Sequence, residues 1–175
     1  RRDSASPVPG LIPIGRMPVA FRTDWVHNSN DSFVYTHPGQ KFEGISPPVG
    51  DASLTRPRTR AGLAVIPEML SRGKVTLQAI QGQLFENRNF MAQVVVPDLL
   101  AACDKAPTAE SRDGCAALKG RDRRNNVDAR GAHVFREFWR TARNIPGVHR
   151  VPFDPAQPVA TPAGLKMEDA AIAAK

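Results

Sequence analysis

The chain has 175 residues, 41% of them apolar and 23% charged, with a formal net charge of +7 and a pI near 10.1. That length suits one domain with a core of its own, and the composition excludes a disordered or fibrous chain. No apolar run approaches the roughly 18 residues that span a bilayer, and the opening RRDSASPVPG lacks the apolar centre of a signal peptide.

Residues 1–57 are rich in Pro, Gly, Ser and Asn, which predicts extended segments, short strands and long loops. AFRTDWVHN has the aromatic and β-branched content of a short strand. It leads into VHNSNDSF, Val26 to Phe33, where Asn, Asp and Ser crowd together. Such side chains bond nearby backbone groups and tolerate unusual dihedrals, so a turn is the plainest reading. HPGQKFEGISPPVGD is then a long connection.

Residues 58–145 read as helical. RTRAGLAVIPEMLSRG sets Leu63, Ile66 and Leu70 on one face, with a kink or restart expected at Pro67. Thr76 is placed to cap a helix in which Leu77, Ile80 and Leu84 form a stripe. FMAQVVVPDLLAACDK predicts another helix broken near Pro97, and Thr108 is placed to cap AESRDGCAALKG. The clearest pattern is DARGAHVFREFWRTARN, with Phe135, Phe138, Trp139 and Ala142 at i, i+3, i+4 and i+7, a core-facing stripe. Residues 146–175 return to a Pro-rich, extended composition, and KMEDAAIAAK reads as the start of a helix. One segment, without internal repeats, is expected across 1–175.

The basic residues are spread through RPRTR, SRGK, KGRDRR and RTAR, several beside Asp or Asn, and no zinc-finger spacing or RNA-recognition aromatic motif accompanies them. A solvated basic face explains them better than a nucleic-acid or other polyanion partner, which is the competing reading from another class. Cys103 and Cys115 are the only cysteines, which excludes a four-cysteine metal site. A disulfide in an exported protein and two buried thiols are both open at this level. No GxSxG elbow, HExxH motif or histidine-flanked cysteine is present. The carboxamides near Asn30 are neutral donors of the kind that hold an oxyanion, and RPRTR supplies guanidinium groups that could polarise such a site.

The ordered series NSNDSF, THP, FEG, RTRAGL, VVVPDLLAAC, LKGRDRRNNVDARGAHVFREFW and PFDPAQPVATPAGL resembles the β-subunit of the penicillin acylase family. The likeness covers nearly the whole chain and is strongest to the acyl-homoserine-lactone acylase and aculeacin acylase branch. It implies a mainly α fragment of an αββα N-terminal-nucleophile hydrolase. A serine exposed by autoproteolysis, upstream of this chain, would attack an amide carbonyl with its own α-amino group as base. The implied reaction is deacylation of N-acyl substrates, acyl-homoserine lactones first, then lipopeptides or β-lactams.

Carried over residue by residue, the resemblance makes Asn30 the oxyanion donor and Arg60 the site arginine, with Arg58 as the fallback. Asn28, Ser29 and Asp31 are then loop scaffolding. The resemblance also implies the α-subunit and the remainder of the β-subunit as partners, a periplasmic or secreted location and, with it, a disulfide between Cys103 and Cys115. No cofactor and no metal are carried over; the calcium site of the penicillin G acylase branch has only Glu43 as a nearby candidate. Val34 and Arg121 stand where related chains commonly have Trp, departures that bear on packing and substrate choice.

Overall fold

A computed structural model describes residues 4–32, 35–40, 42–46, 49, 55–105, 108–109, 111–120 and 122–167. Val34, Arg121 and most of KMEDAAIAAK lie outside them. Among the described residues five α-helices follow one another: α1 Pro57–Ser71, α2 Leu77–Phe85, α3 Phe90–Lys105, α4 Arg112–Lys119 and α5 Ala132–Ala142. A 3-10 turn, Ile14–Arg16, precedes them. The chain divides into two compact units, Arg1–Glu68 with Pro155–Val159, and Met69–Asp154 with Ala160–Lys175. The division falls inside α1 rather than at the change of sequence pattern near residue 57.

The first unit is loop-rich up to α1, as expected, but the strand expected in AFRTDWVHN does not form. Local side-chain bonds take the place of a ladder there: the Trp25 amide donates to Asp24 Oδ1 at 2.7 Å, and Arg22 Nε donates to the same oxygen at 2.8 Å. The His27 amide closes back onto the Thr36 carbonyl at 2.8 Å, a turn-forming link. Among the described residues β-pairing is confined to two isolated antiparallel bridges, Arg88 with Arg124 and Val151 with Ala163, both in the second unit.

Neither proline breaks its helix: α1 runs through Pro67 and α3 through Pro97 as single elements. Both prolines are exposed. At Pro97 the carbonyl left without its helical donor belongs to Gln93, itself on the exposed side, where water can satisfy it. Thr76 caps α2 by accepting from the Ala79 amide at 3.1 Å. Thr108, by contrast, does not start α4. It bonds reciprocally with Ser111, whose amide donates to Thr108 Oγ1 at 3.1 Å, and the helix begins only at Arg112.

The second unit is built around α3. Met91, Ala92, Val95, Val96 and Leu99 form one broad buried stripe, met by Leu118 of α4, Phe135 of α5, and Val148 and Leu165 from the tail. Phe138 and Trp139 pack partly buried against it. Helix α5 begins at Ala132, after a left-handed Gly131 with φ of 77°. A Cβ there would strike the Ala117 carbonyl of α4, so glycine permits the close approach of the two helices. The tail is held by Asp98, whose Oδ2 accepts the Leu165 amide at 2.7 Å. The Glu86 carboxylate ties the start of α3 to the stretch after α4: Oε2 lies 2.6 Å from Arg88 Nε and Oε1 2.8 Å from Arg124. The apolar stripe of α2 is left uncovered, with Leu77 71% and Leu84 69% exposed.

Cys103 of α3 and Cys115 of α4 are joined by a disulfide, their Cα atoms 5.9 Å apart, beside an ion pair of 2.8 Å between Lys119 and Asp104. Non-reducing mass analysis should read the chain lighter than its reduced form by two hydrogens. Replacing both cysteines by serine should cost about 3 kcal/mol in a denaturation series, the scale for a loop of this length. Two free thiols would refute the bridge.

Candidate functional site

The NSND turn and the first turn of α1 meet in the first unit. Asn28 Oδ1 accepts the Asn30 amide at 2.7 Å, a side-chain mimic of a backbone turn. This bond bends the chain so that Asn30 takes a left-handed conformation, φ 55°. Asparagine tolerates that region better than most residues, because its short polar side chain bonds locally. Ser29 Oγ lies 2.8 Å from His27 Nε2, which fixes the preceding imidazole. A Cβ on Gly62 of α1 would fall inside that His27 ring, so Gly62 makes room for it.

Asp31 joins the turn to the helix. Its Oδ2 accepts the Arg56 amide at 2.9 Å and the Thr59 hydroxyl at 2.7 Å, while Oδ1 accepts the Ser32 amide at 2.9 Å. Burial pushes this carboxyl up, but the Arg56 and Ser32 amides, the Thr59 hydroxyl and the Arg56 charge outweigh it and hold it below its ordinary 3.8.

The two arginines of RPRTR part company. Arg58 donates from Nη2 to Asn30 Oδ1 at 3.2 Å, both side chains being exposed. A guanidinium can only donate, so the carboxamide must turn its oxygen to Arg58 and leave Nδ2 as its group for a ligand. Arg60 is only 3% exposed and donates from Nε to the Val159 carbonyl at 3.0 Å. Burial lowers its pKa. The nearby Thr55 hydroxyl bonds the Pro158 carbonyl at 3.2 Å, so this pair serves to hold Pro155–Val159. The structure thus brings Arg58, not the preferred Arg60, to Asn30.

A cavity of about 10 Å³ lies among His27, Asn28, Asp31, Ser32, Tyr35 and Thr59, room for about one water and none for an acyl chain. Glu43 is exposed. Among the described residues no group of three or more His, Cys, Asp or Glu is gathered as a metal site. The links through Thr59 and Gly62 were not legible in the sequence, since each acts across about thirty positions with no local pattern to mark it.

A family model described as penicillin amidase matches residues 2–171. The chain is 32% identical over 169 residues to the acyl-homoserine lactone acylase PvdQ of Pseudomonas syringae pv. syringae, covering 94% of this chain and 22% of that protein. It is 35% identical over 177 residues to the aculeacin-A acylase of Actinoplanes utahensis, covering 92% of this chain and 22% of that protein. The PvdQ acylase of Pseudomonas savastanoi pv. phaseolicola is 33% identical over 171 residues. The chain therefore spans about a fifth of the length of these relatives.

Two measurements check this geometry. Gly62→Ala should push the His27 ring aside and break its contact with Ser29, read as a shift of the His27 imidazole resonances in NMR; unchanged resonances would refute the contact. The Asp31 carboxyl is depressed in the folded state, so its stabilisation is complete above the ordinary value of 3.8 and is lost as pH falls through the lower folded value. Asp31→Asn should flatten the acid limb of the stability curve, and an unaltered limb would contradict the assigned bonds.

Proposed function

Because the chain belongs to the penicillin amidase family, we propose that it forms part of a hydrolase that deacylates N-acyl substrates, with acyl-homoserine lactones as the substrate class. The observation that carries this reading is the bond from Arg58 to Asn30 Oδ1. In the proposed reaction an N-terminal serine, supplied by polypeptide outside this chain, attacks the amide carbonyl while its α-amino group takes the hydroxyl proton. Negative charge gathers on the carbonyl oxygen, and Asn30 Nδ2 donates to it. Arg58, drawing on the carboxamide oxygen, makes Nδ2 a stronger donor and fixes its direction. Collapse of the tetrahedral species breaks the C–N bond. The amine leaves with the proton from the α-ammonium, and water then releases the acyl group from serine.

Arg58 takes the role over Arg60 in this reading, because Arg60 is engaged with Val159 and buried. The aculeacin-A acylase likeness at 35% identity supports a second reading, a lipopeptide or β-lactam acylase working by the same chemistry. The α-subunit and the remaining β-subunit of an αββα precursor are the proposed partners. The exposed Leu77, Ile80, Leu84 and Phe85 of α2 supply apolar surface for them to cover. A periplasmic or secreted location accords with the disulfide, and no described helix is long and apolar enough to cross a membrane. A polyanion-binding role is disfavoured, since Arg22, Arg88, Arg124 and Arg140 are each paired with a carboxylate.

In the full-length acylase, Asn30→Ala should lower deacylation of N-decanoyl-homoserine lactone by about 10² to 10³, the loss for one oxyanion donor. Arg58→Ala should lower it as well, whereas Arg60→Ala should act through Tm. Near-normal turnover of Asn30→Ala would reject the role, and faster turnover of a lipopeptide than of any acyl-homoserine lactone would favour the second reading.

A further inference from the structure

We propose that Asp31 is a positioning residue for the deacylation step, setting the turn that carries Asn30 against the helix start that carries Arg58. The inference rests on the reading of Asn30 as the oxyanion donor. Asp31 adjoins Asn30 in sequence, and its Oδ2 accepts from the residues two before and one after Arg58, the Arg56 amide and the Thr59 hydroxyl. Its other oxygen is taken by the Ser32 amide, so the carboxylate is fixed at both ends. The Asn30–Arg58 bond, by comparison, is one contact of 3.2 Å between two exposed side chains, and such contacts are weak in water. Something firmer must set their separation.

Charge points the same way. Arg56, Arg58 and Arg60 crowd the beginning of α1, and no acidic residue stands in its first turn. Cations there oppose the positive end of the helix dipole, and an anion beside the first amides offsets them. Asp31 is the carboxylate bonded at that place. Losing it would both free the turn and loosen the helix start, moving the donor off the oxyanion position. A displacement of about 1 Å at such a site is worth about 10²-fold in rate.

The test is a double-mutant cycle in the full-length acylase, with N-decanoyl-homoserine lactone as substrate and rates normalised to folded enzyme by circular dichroism. Asp31→Asn should lower kcat about tenfold to a hundredfold, with KM within about threefold of the parent. In an Arg58→Ala background the same change should cost less than about threefold, because the pair it aligns is already broken. An undiminished cost in that background, or a rise in KM with kcat unchanged, overturns the inference. Should Asp31→Asn fail to fold, Thr59→Val keeps the carboxylate, removes one of its bonds and enters the same cycle with the same criteria. Normal turnover of Asn30→Ala defeats the underlying reading and this inference together; an inactive Asn30→Ala with additive Asp31 and Arg58 losses defeats this inference alone.

Discussion

Helix α1 opens with donors and cations and supplies no acid of its own in its first turn. The first amides of any helix need acceptors from outside it. Here the Arg56 amide and the Thr59 hydroxyl find one in Asp31, about twenty-five positions earlier in the chain. The arrangement of the candidate site follows from that long-range cap. It brings the NSND turn onto the helix start, puts Arg58 within reach of Asn30, and lets the His27 ring settle against Gly62. A self-sufficient cap within RPRTR would have left the turn with no reason to be there.

The second unit rests on a different device. Helix α3 buries its broad face from Met91 to Leu99, and α4 is fastened to its far end by the disulfide and by Asp104 with Lys119. The helix types and the stripe from Phe135 to Ala142 were legible because a 3.6-residue period records burial directly. The unbroken course of α1 and α3 was not, since whether a proline breaks a helix depends on how its ring and the unpaired carbonyl four residues earlier are accommodated, and sequence does not reveal that. The strand read in AFRTDWVHN failed for a related reason. Its composition suits a strand, but a strand exists only with a partner, and Asp24 offers the local backbone another acceptor. The uncovered stripe of α2 had the periodicity of a core helix without a core to meet among the described residues.

At the site, Asn30 was singled out through a resemblance, and its turn was legible through composition. The choice between Arg58 and Arg60 was not, because the two sit two positions apart and a helix turns them to different sides. Residues i and i+2 are separated by roughly 200° around an α-helix, at 3.6 residues per turn. One must face away from the turn if the other faces it. Arg60, turned away, is buried and given to the Val159 carbonyl.

One strongly basic pentapeptide thus holds both a buried, bracing arginine and an exposed one that faces Asn30. A guanidinium has only donors, so each must end on an oxygen. Buried Arg60 meets a backbone carbonyl, a neutral acceptor that lets it brace the returning segment Pro155–Val159. Exposed Arg58 meets the oxygen of a carboxamide, and a carboxamide passes polarisation on: electron density drawn toward Oδ1 leaves the Nδ2 hydrogens more positive. In the proposed reaction the cation thus stays one bond away from the oxyanion and acts through a neutral group held in a left-handed turn. In the same proposal the guanidinium turns the carboxamide oxygen toward itself before substrate arrives, the orientation a donor needs to favour the transition state without reorganisation.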